Sequence, residues 1–244
     1  MIDLHAHVLP GIDDGARDLE EAAEMCRLAA EDGCEAIVAT PHQRHFRWWN
    51  GDSADLADRL EELRAAVGDR PRLFTGAEIR LGPEIIDDLL TDPPHDATPL
   101  AGSRYLLLEA RRNGHMVELE EILHEAQVAG WRPILAHPEM IGELADDLER
   151  LAKICETGVL TQVTAMSVTG EFGPRVRRSC EAMIERGLAH FVASDAHGVD
   201  WRPPGLAAAC REIAARWGQE VARRLTQDNP LAVLENRALA GVER

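Results

Sequence analysis

The sequence predicts an α/β fold with a mostly parallel sheet, either doubly wound or closed as a barrel. Seven short apolar segments of strand character alternate with segments of helical periodicity, a pattern typical of successive strand–helix units. The chain has 244 residues, a length at which α/β barrels are routinely single domains. No GxGxxG or GxxxxGK(S/T) motif follows a strand, so dinucleotide-binding and P-loop folds lack their motifs. We therefore expect one domain over residues 1–244.

The seven predicted strands are short, apolar and often β-branched, as buried parallel strands are. The first runs from residue 1 to 4 and leads into His5-Ala6-His7. The others cover residues 34–40, 71–78, 104–110, 132–138, 159–165 and 190–197.

The segments between these strands carry apolar residues at helical spacing. The first, DLEEAAEMCRLAAED, starts with an aspartate suited to cap a helix, and Gly33 ends it. The predicted helices lie at residues 18–32, 83–90, 116–129, 143–157, 174–186 and 205–217. Residues 91–103 are expected to form a long loop.

Composition excludes several classes of function. A formal net charge of −17 argues against a nucleic-acid-binding surface, which needs a positive footprint. No segment approaches the ~18 to 20 apolar residues of a membrane helix, and the chain opens on a strand instead of a signal sequence. We therefore expect a cytoplasmic protein without membrane insertion. The five cysteines are odd in number and form no CxxC pair, so we expect reduced core thiols.

Residues of metal-ligand type stand where the predicted strands end. His5 and His7 share one face of the first strand, since alternate side chains point the same way. The sixth strand ends in Gln162 and Thr164 instead, so the pattern is not general. In a barrel these ends converge on one site. The residues are His5, His7, His42, Glu78, Glu109, His137, Asp195 and His197.

With Asp14 from the first loop, this set contains five histidines, two aspartates and two glutamates. Such nitrogen and oxygen ligands suit manganese, iron or zinc ions. They differ from the cysteine thiolates of a thiolate zinc site. Nine ligands are too many for one ion, so we expect two or three divalent ions. Asp13 adjoins Asp14, and the sequence pattern alone does not decide which of the two is the metal ligand.

The motifs around these residues resemble the polymerase and histidinol phosphatase (PHP) superfamily. Within it, the chain is most similar to the bacterial capsule and exopolysaccharide tyrosine-phosphatase group of the CpsB/YwqE type. Residues 162–204 are similar to that group along their whole length. The motifs are HAH (5–7), GIDDG (11–15), ATPH (39–42), GAE (76–78), LLLEA (106–110), AHPE (136–139) and SDAH (194–197).

The resemblance implies a distorted, TIM-like (β/α)7 barrel of PHP type with a trinuclear, usually manganese-loaded site. It implies hydrolysis of phosphotyrosine, by a metal-activated hydroxide, on a partner tyrosine autokinase of capsule or exopolysaccharide synthesis. Carried over by position, the ligands are the same nine residues, and the family favours Asp14 over Asp13. Arg202 in WRPP matches a phosphate-binding arginine of the family.

One position departs from the family pattern. After AHPE the group usually places a second arginine, and here Met140 stands there. Methionine cannot replace a guanidinium on a phosphoryl group. Either Arg202 and the metals suffice, or a neighbour substitutes, or turnover is weak. The candidate neighbours are Arg44, Arg47, Arg111 and Arg112.

The loop QRHFRWWNGDS after His42 offers two interpretations. Phe46, Trp48 and Trp49 can stack on a phosphotyrosine ring, or they cover the barrel mouth or form a contact in a homo-oligomer.

Three other functions stay open. The chain can be a PHP phosphoesterase for a small metabolite such as histidinol phosphate, or a phosphotyrosine-binding regulator in which Met140 reports lost catalysis. A metal-dependent amidohydrolase is a weaker possibility. Such enzymes often use a carboxylated lysine as a metal ligand, and Lys153, the only lysine, lies in the middle of a predicted helix.

Overall fold

A computed structural model describes residues 1–82, 85–91, 94, 96–110 and 116–240. Within these ranges every paired strand is parallel to its neighbour. The strands are β1 (Ile2–Ala6), β2 (Ala36–Ala39), β3 (His42–Gln43), β4 (Arg72–Thr75), β5 (Glu78–Arg80), β6 (Tyr105–Glu109), β7 (Arg132–Ala136), β8 (Leu160–Thr164) and β9 (Phe191–Ala193).

The described strands form two sheets that adjoin around a ring. One has the order β1-β2-β4 and the other β3-β5-β6-β7-β8-β9. The ends of β1 and β9 meet through two backbone hydrogen bonds of 2.8 Å, from Asp195 N to His5 O and from His7 N to Ala196 O. The predicted parallel α/β fold is thereby confirmed, although the ring is distorted and its hydrogen-bond ladder is interrupted.

The interruptions correct two predicted strands. The second predicted strand, 34–40, is shortened to β2 and is followed by a separate strand, β3, while the third, 71–78, is interrupted between β4 and β5. His42 and Glu78 therefore begin new short strands, in which they pair with each other, instead of ending long ones. Pro41 lacks an N–H for the ladder. At Gly76 a Cβ would come within 2.7 Å of Val38 Cγ1, so the chain bends where only glycine fits.

The helices agree with the predicted ones except at four places. The predicted helix 143–157 is two helices, and three further places hold helices that were not predicted: after the aromatic loop, directly after residue 164, and after residue 217. The start of the predicted helix 83–90 lies outside the described residues. The helices are α1 (Leu19–Glu31), α2 (Ser53–Val67), α3 (Ile85–Leu89), α4 (Met116–Val128), α5 (Gly142–Asp146), α6 (Leu148–Glu156), α7 (Ala165–Thr169), α8 (Pro174–Glu185), α9 (Ala207–Trp217), α10 (Gln219–Arg223) and α11 (Asn229–Leu234).

Short helical turns complete the described elements. Two 3₁₀ turns, Leu100–Gly102 and Pro138–Met140, and a π-helical turn, Arg224–Asp228, lie between the helices and strands.

The interior of the ring is closed at one end by the C-terminal segment. Ile2 and Phe191 pack in one buried cluster with Val233 and Leu239. The Tyr105 hydroxyl, at the start of β6, donates to Arg237 O at 2.6 Å. Because the C-terminal segment covers the amino ends of the strands, their carboxyl ends remain as the open face of the ring.

The cysteines agree with the expectation of reduced thiols. All five are free, and Cys26, Cys34 and Cys180 are buried. Burial raises the pKa of Cys26 to about 12, which makes this thiol a poor nucleophile. In the described chain, the helices are all too short or too polar to cross a bilayer.

Candidate metal centre

Eight of the nine predicted ligands meet at the carboxyl ends of the strands. They form three groups in which the candidate ligand atoms lie within 4.8 Å of one another. His7 belongs to the first and second groups, and His42 to the first and third. The groups are His7, Asp14, His42 and His197; His5, His7 and Asp195; and His42, Glu78 and Glu109.

His5 and His7 bring their Nε2 atoms together at the carboxyl end of the ring. His5 Nδ1 lies 2.9 Å from Gln162 Oε1, and His7 Nδ1 lies 2.8 Å from Asp13 Oδ2. Each Nδ1 therefore carries the proton and donates it to an oxygen, as metal-ligating histidines do. The two Nε2 atoms then face each other at 3.2 Å, and Asp195 Oδ1 is 3.4 Å from that of His5. Ring nitrogens and a carboxylate oxygen that converge at these distances suit a bound cation.

The two adjacent aspartates have different positions. The buried Asp13 side chain accepts hydrogen bonds from His7 Nδ1, His42 N and Gly15 N. Asp14 is 41% exposed, and its Oδ1 lies 3.4 Å from His42 Nε2 and 3.6 Å from His197 Nε2. Asp14 thus faces the ring nitrogens, whereas Asp13 supports His7 from behind.

Glu78 links the histidines from β1, β3 and β7. Its carboxylate is 1% exposed; Oε1 lies 2.7 Å from His137 Nε2, and Oε2 lies 2.9 Å from His42 Nδ1. Burial alone would raise the pKa of Glu78, but the charge of His5 and the hydrogen bond from His137 hold it well below its usual range. The ninth predicted residue, His137, therefore joins the cluster through Glu78.

Charge in the pocket favours a bound cation. Burial favours neutral His42, yet the carboxylates of Asp14 and Glu78 outweigh it and raise the pKa of His42 to about 9. In contrast, burial and the charge of His7 lower the pKa of His197 to about 3. Burial and the charge of Glu78 raise the pKa of Glu109. The pocket brings imidazole nitrogens together with crowded carboxylates, a donor set that fits divalent metal ions.

Arg202 lies beside the second group. Its guanidinium donates to Asp195 Oδ2 and lies 5.5 Å from the Phe172 ring and 5.6 Å from the Trp201 ring. Arg202 Nε is buried without a hydrogen-bond partner. Burial alone would raise the pKa of Asp195, but the charges of His5 and Arg202 lower it. Phosphate binding by Arg202 stays a prediction.

The aromatic loop divides into one supporting and two exposed residues. The Trp48 ring stacks on His42, with 5.4 Å between centroids and 7° between planes, so Trp48 holds a candidate ligand in place. Phe46 and Trp49 are exposed. Trp201, which is also exposed, meets His197 edge-on at 5.6 Å. Aromatic side chains therefore line two sides of the cluster.

The arginines considered as substitutes at Met140 have different surroundings. Arg44 is 6% exposed and lies 5.0 Å from the Trp49 ring. Arg47 is exposed, 5.5 Å from the Phe46 ring. Arg111 and Arg112 lie outside the described residues. Met140 itself ends the 3₁₀ turn after His137, where its N–H donates to His137 O at 2.9 Å.

Four buried polar residues that support the cluster were not predicted to have this role. Besides Asp13 and Gln162, Asp3 accepts from His5 N and Ser194 N at 3.2 and 3.0 Å. Glu139 accepts from Thr164 N and Ser167 Oγ at 2.9 and 2.7 Å. A signal existed for Asp3, because it shares the strand face of His5 and His7.

A ring of parallel strands with such a cluster at its carboxyl ends defines a metal-dependent hydrolase of the α/β-barrel class. The chain belongs to the CpsB/CapC family of capsular polysaccharide synthesis, whose model matches residues 1–235.

Named relatives of this family are tyrosine-protein phosphatases. The chain is 33% identical over 242 residues to YwqE of Bacillus subtilis, covering 98% of this chain and 93% of YwqE. It is 28% identical over 246 residues to CpsB of Streptococcus pneumoniae, covering 98% and 100%.

Solved structures agree with this assignment. A crystal structure from work on YwqE and CpsB, described as metal-dependent tyrosine phosphatases, has a TM-score of 0.91 and 30% identity, covering 98% of this chain and 96% of that one. A lactonase of Listeria monocytogenes, at 12% identity and a TM-score of 0.59 over 97% and 95% of the two chains, shares the fold alone.

Proposed function

We propose that the chain, acting as a single domain over residues 1–244, is a metal-dependent protein-tyrosine phosphatase. Its substrate is phosphotyrosine on a partner tyrosine autokinase of capsule or exopolysaccharide synthesis. The observation that carries the proposal is the convergence of imidazole nitrogens and carboxylates beside Arg202. Membership of the CpsB/CapC family supports it.

The nine predicted ligands would hold two or three divalent ions, with manganese first. They are His5, His7, Asp14, His42, Glu78, Glu109, His137, Asp195 and His197. When bound, such ions supply an acidified water as nucleophile and offset charge on the phosphoryl oxygens.

The chain's own residues would orient the ligands and the substrate. Asp13 and Gln162 accept the Nδ1 protons of His7 and His5 and so keep each Nε2 available. Arg202, held by Asp195, would bind the phosphoryl group through its remaining N–H donors. A tyrosinate leaving group, with a parent pKa of about 10, needs little help from a general acid.

The exposed aromatic rings at the mouth would select the substrate. Phe46 and Trp201 stand at the rim with large apolar faces in solvent, which a flat phosphotyrosine ring can cover. A flexible alkyl phosphate gains much less from such contacts, so we expect discrimination against histidinol phosphate.

Phosphate release from a phosphotyrosine peptide and from histidinol phosphate tests the proposal. Protein stripped with chelator and resupplied with Mn²⁺ should hydrolyse the peptide and leave histidinol phosphate nearly untouched. His42→Ala should abolish turnover and lower the bound manganese, whereas the exposed His124→Ala control should match the wild type. Binding of the peptide without phosphate release would instead support the regulator in which Met140 reports lost catalysis.

A further inference from the structure

A second arginine, not considered from the sequence, contacts a carboxylate of the cluster: Arg80 donates to Glu109. We propose that Arg80 binds the phosphoryl group of the substrate together with Arg202, so that two guanidinium groups hold it over the metal centre. The inference rests on the proposed phosphatase function and adds to it a second phosphate-binding residue.

The position of Arg80 in β5 directs it to the mouth of the ring. Arg80 is the last residue of β5 and lies two residues after Glu78, so the two side chains share a face of the strand. Ile79 points the other way and is fully buried in the outer core. The Arg80 side chain is 22% exposed, so it reaches from the buried carboxylate of Glu78 towards solvent.

Arg80 donates a hydrogen bond to the third group, as Arg202 does to the second. Its Nη1 donates to Glu109 Oε2 at 3.1 Å, and the two residues are register partners of β5 and β6. Arg202 donates to Asp195 in the second group. The second and third groups share no residue, so the two guanidinium groups contact different carboxylates of one cluster.

The guanidinium of Arg80 has donors to spare. An arginine has five N–H donors, and in the structure Arg80 uses Nη1 on Glu109. A fixed planar fork with free N–H groups matches the geometry of a phosphoryl group better than a lysine would. Arg47 is less suited, since its guanidinium lies over the rings of Phe46 and Trp48 on the outer side of the loop.

A purely structural role makes a different prediction. If Arg80 only orients Glu109, its removal weakens the metal site and leaves phosphate affinity unchanged once the site is saturated with Mn²⁺. If Arg80 binds the phosphoryl group, its removal weakens phosphate binding at full metal occupancy.

The test measures inorganic phosphate binding as well as turnover. Wild-type protein, Arg80→Ala and Arg80→Lys are loaded with saturating Mn²⁺, and phosphate is titrated by calorimetry. We expect Arg80→Ala to raise the dissociation constant for phosphate by at least about 10-fold and to lower kcat/KM for a phosphotyrosine peptide by about 10- to 100-fold, the usual effect of a lost charged hydrogen bond. Arg80→Lys should recover part of both losses.

A matched control is Arg59→Ala on α2, which removes an arginine paired with Asp55 away from the cluster. It should bind phosphate and turn over peptide as the wild type does. Melting temperature and bound manganese are measured for every variant. If Arg80→Ala does not fold, Arg80→Met, which preserves the length of the side chain, takes its place.

The outcomes separate this inference from the proposed function. An Arg80→Ala protein with wild-type phosphate affinity and kcat/KM overturns the inference, as does one with weakened manganese binding and unchanged phosphate affinity at saturation. Absence of peptide turnover in the manganese-loaded wild type refutes the proposed function, while the phosphate titration still decides the role of Arg80.

Discussion

At the scale of single residues, the cluster depends on which ring nitrogen of each histidine carries the proton. Asp13 and Gln162 accept the Nδ1 protons of His7 and His5 and leave each Nε2 facing inward. An imidazole that turned or changed tautomer would present a proton to the site instead. The supporting residues therefore matter nearly as much as the ligands.

Asp13→Asn tests this support. The amide keeps the size of the side chain but removes the negative charge that accepts the proton of His7 Nδ1. We expect manganese affinity to fall by about 10- to 100-fold, measured by titration of chelator-stripped protein with Mn²⁺. Asp58→Asn, on the exposed face of α2, is the control. Wild-type manganese affinity in Asp13→Asn would contradict the assigned role.

Gly15 tests the loop that carries both aspartates. A Cβ at Gly15 would lie 2.1 Å from His7 O and 2.5 Å from His7 Cβ, so alanine cannot fit without moving the loop. Gly15→Ala should lower the free energy of unfolding by about 1–3 kcal/mol and weaken manganese binding. The Cβ of a Gly142→Ala control would have nothing within 4 Å. Equal melting temperatures in the two variants would argue against this close approach.

The sequence predicted the candidate ligands better than their supports, for a physical reason. Residues at strand ends converge in any barrel, so position and residue type were enough to choose them. The partner of His5 Nδ1 is Gln162, which is 157 residues away; the contact exists only because the fold brings β1 and β8 to either side of β9. Likewise, the choice between Asp13 and Asp14 depends on how one loop folds against His7.

At the scale of elements, the sequence carries clearer local signals for helices than for strand boundaries. Leu56, Leu60 and Leu63 recur on the buried face of α2, and Asp52 caps its first turn, so that missed helix had a local signal. The break between β4 and β5 had none, because it depends on the approach of Val38 and Leu100 to Gly76. Local capping and spacing are visible in a sequence, and close packing between distant segments is not.

An ion network between α8 and α9 makes a testable contribution to stability. Glu181 accepts hydrogen bonds from Arg177 and Arg216. The hydrogen bond from Arg216 outweighs burial, which acts in the opposite direction, and the pKa of Glu181 is lowered to about 2. Since the folded pKa is below the unfolded one, the stabilisation is present above about pH 4.5 and is lost as the pH falls towards 2. Glu181→Gln should therefore lower the free energy of unfolding by about 1 kcal/mol at pH 7.

The difference in unfolding free energy between Glu181→Gln and the wild type should shrink steadily between pH 4.5 and pH 2.5. Thermal or urea unfolding at each pH measures it. Glu220→Gln on α10, whose exposed carboxylate has no ion pair in the described structure, should match the wild type at every pH. A constant difference between Glu181→Gln and the wild type across that range would contradict the linkage.

At the scale of the whole molecule, the cluster stands where the two sheets meet. His5 and His7 come from β1 of the three-stranded sheet, while Glu78 and Glu109 come from β5 and β6 of the six-stranded one. Cations held between these side chains would join the sheets where the hydrogen-bond ladder is interrupted. The metal site is therefore expected to stabilise the ring as well as serve catalysis.

Manganese should accordingly raise the melting temperature in a concentration-dependent way. An ion that binds the folded chain at 100 times its dissociation constant contributes about 2.7 kcal/mol, or about 5 to 10 °C for a chain of this size. Scanning calorimetry of chelator-stripped protein across a manganese series measures the shift. His42→Ala removes a residue shared by two groups and should lose most of it, whereas His124→Ala should keep it. A melting temperature that does not respond to manganese, in protein that binds it stoichiometrically, would mean that the unfolded chain binds the ions as tightly as the folded ring does, which contradicts a site built by the fold.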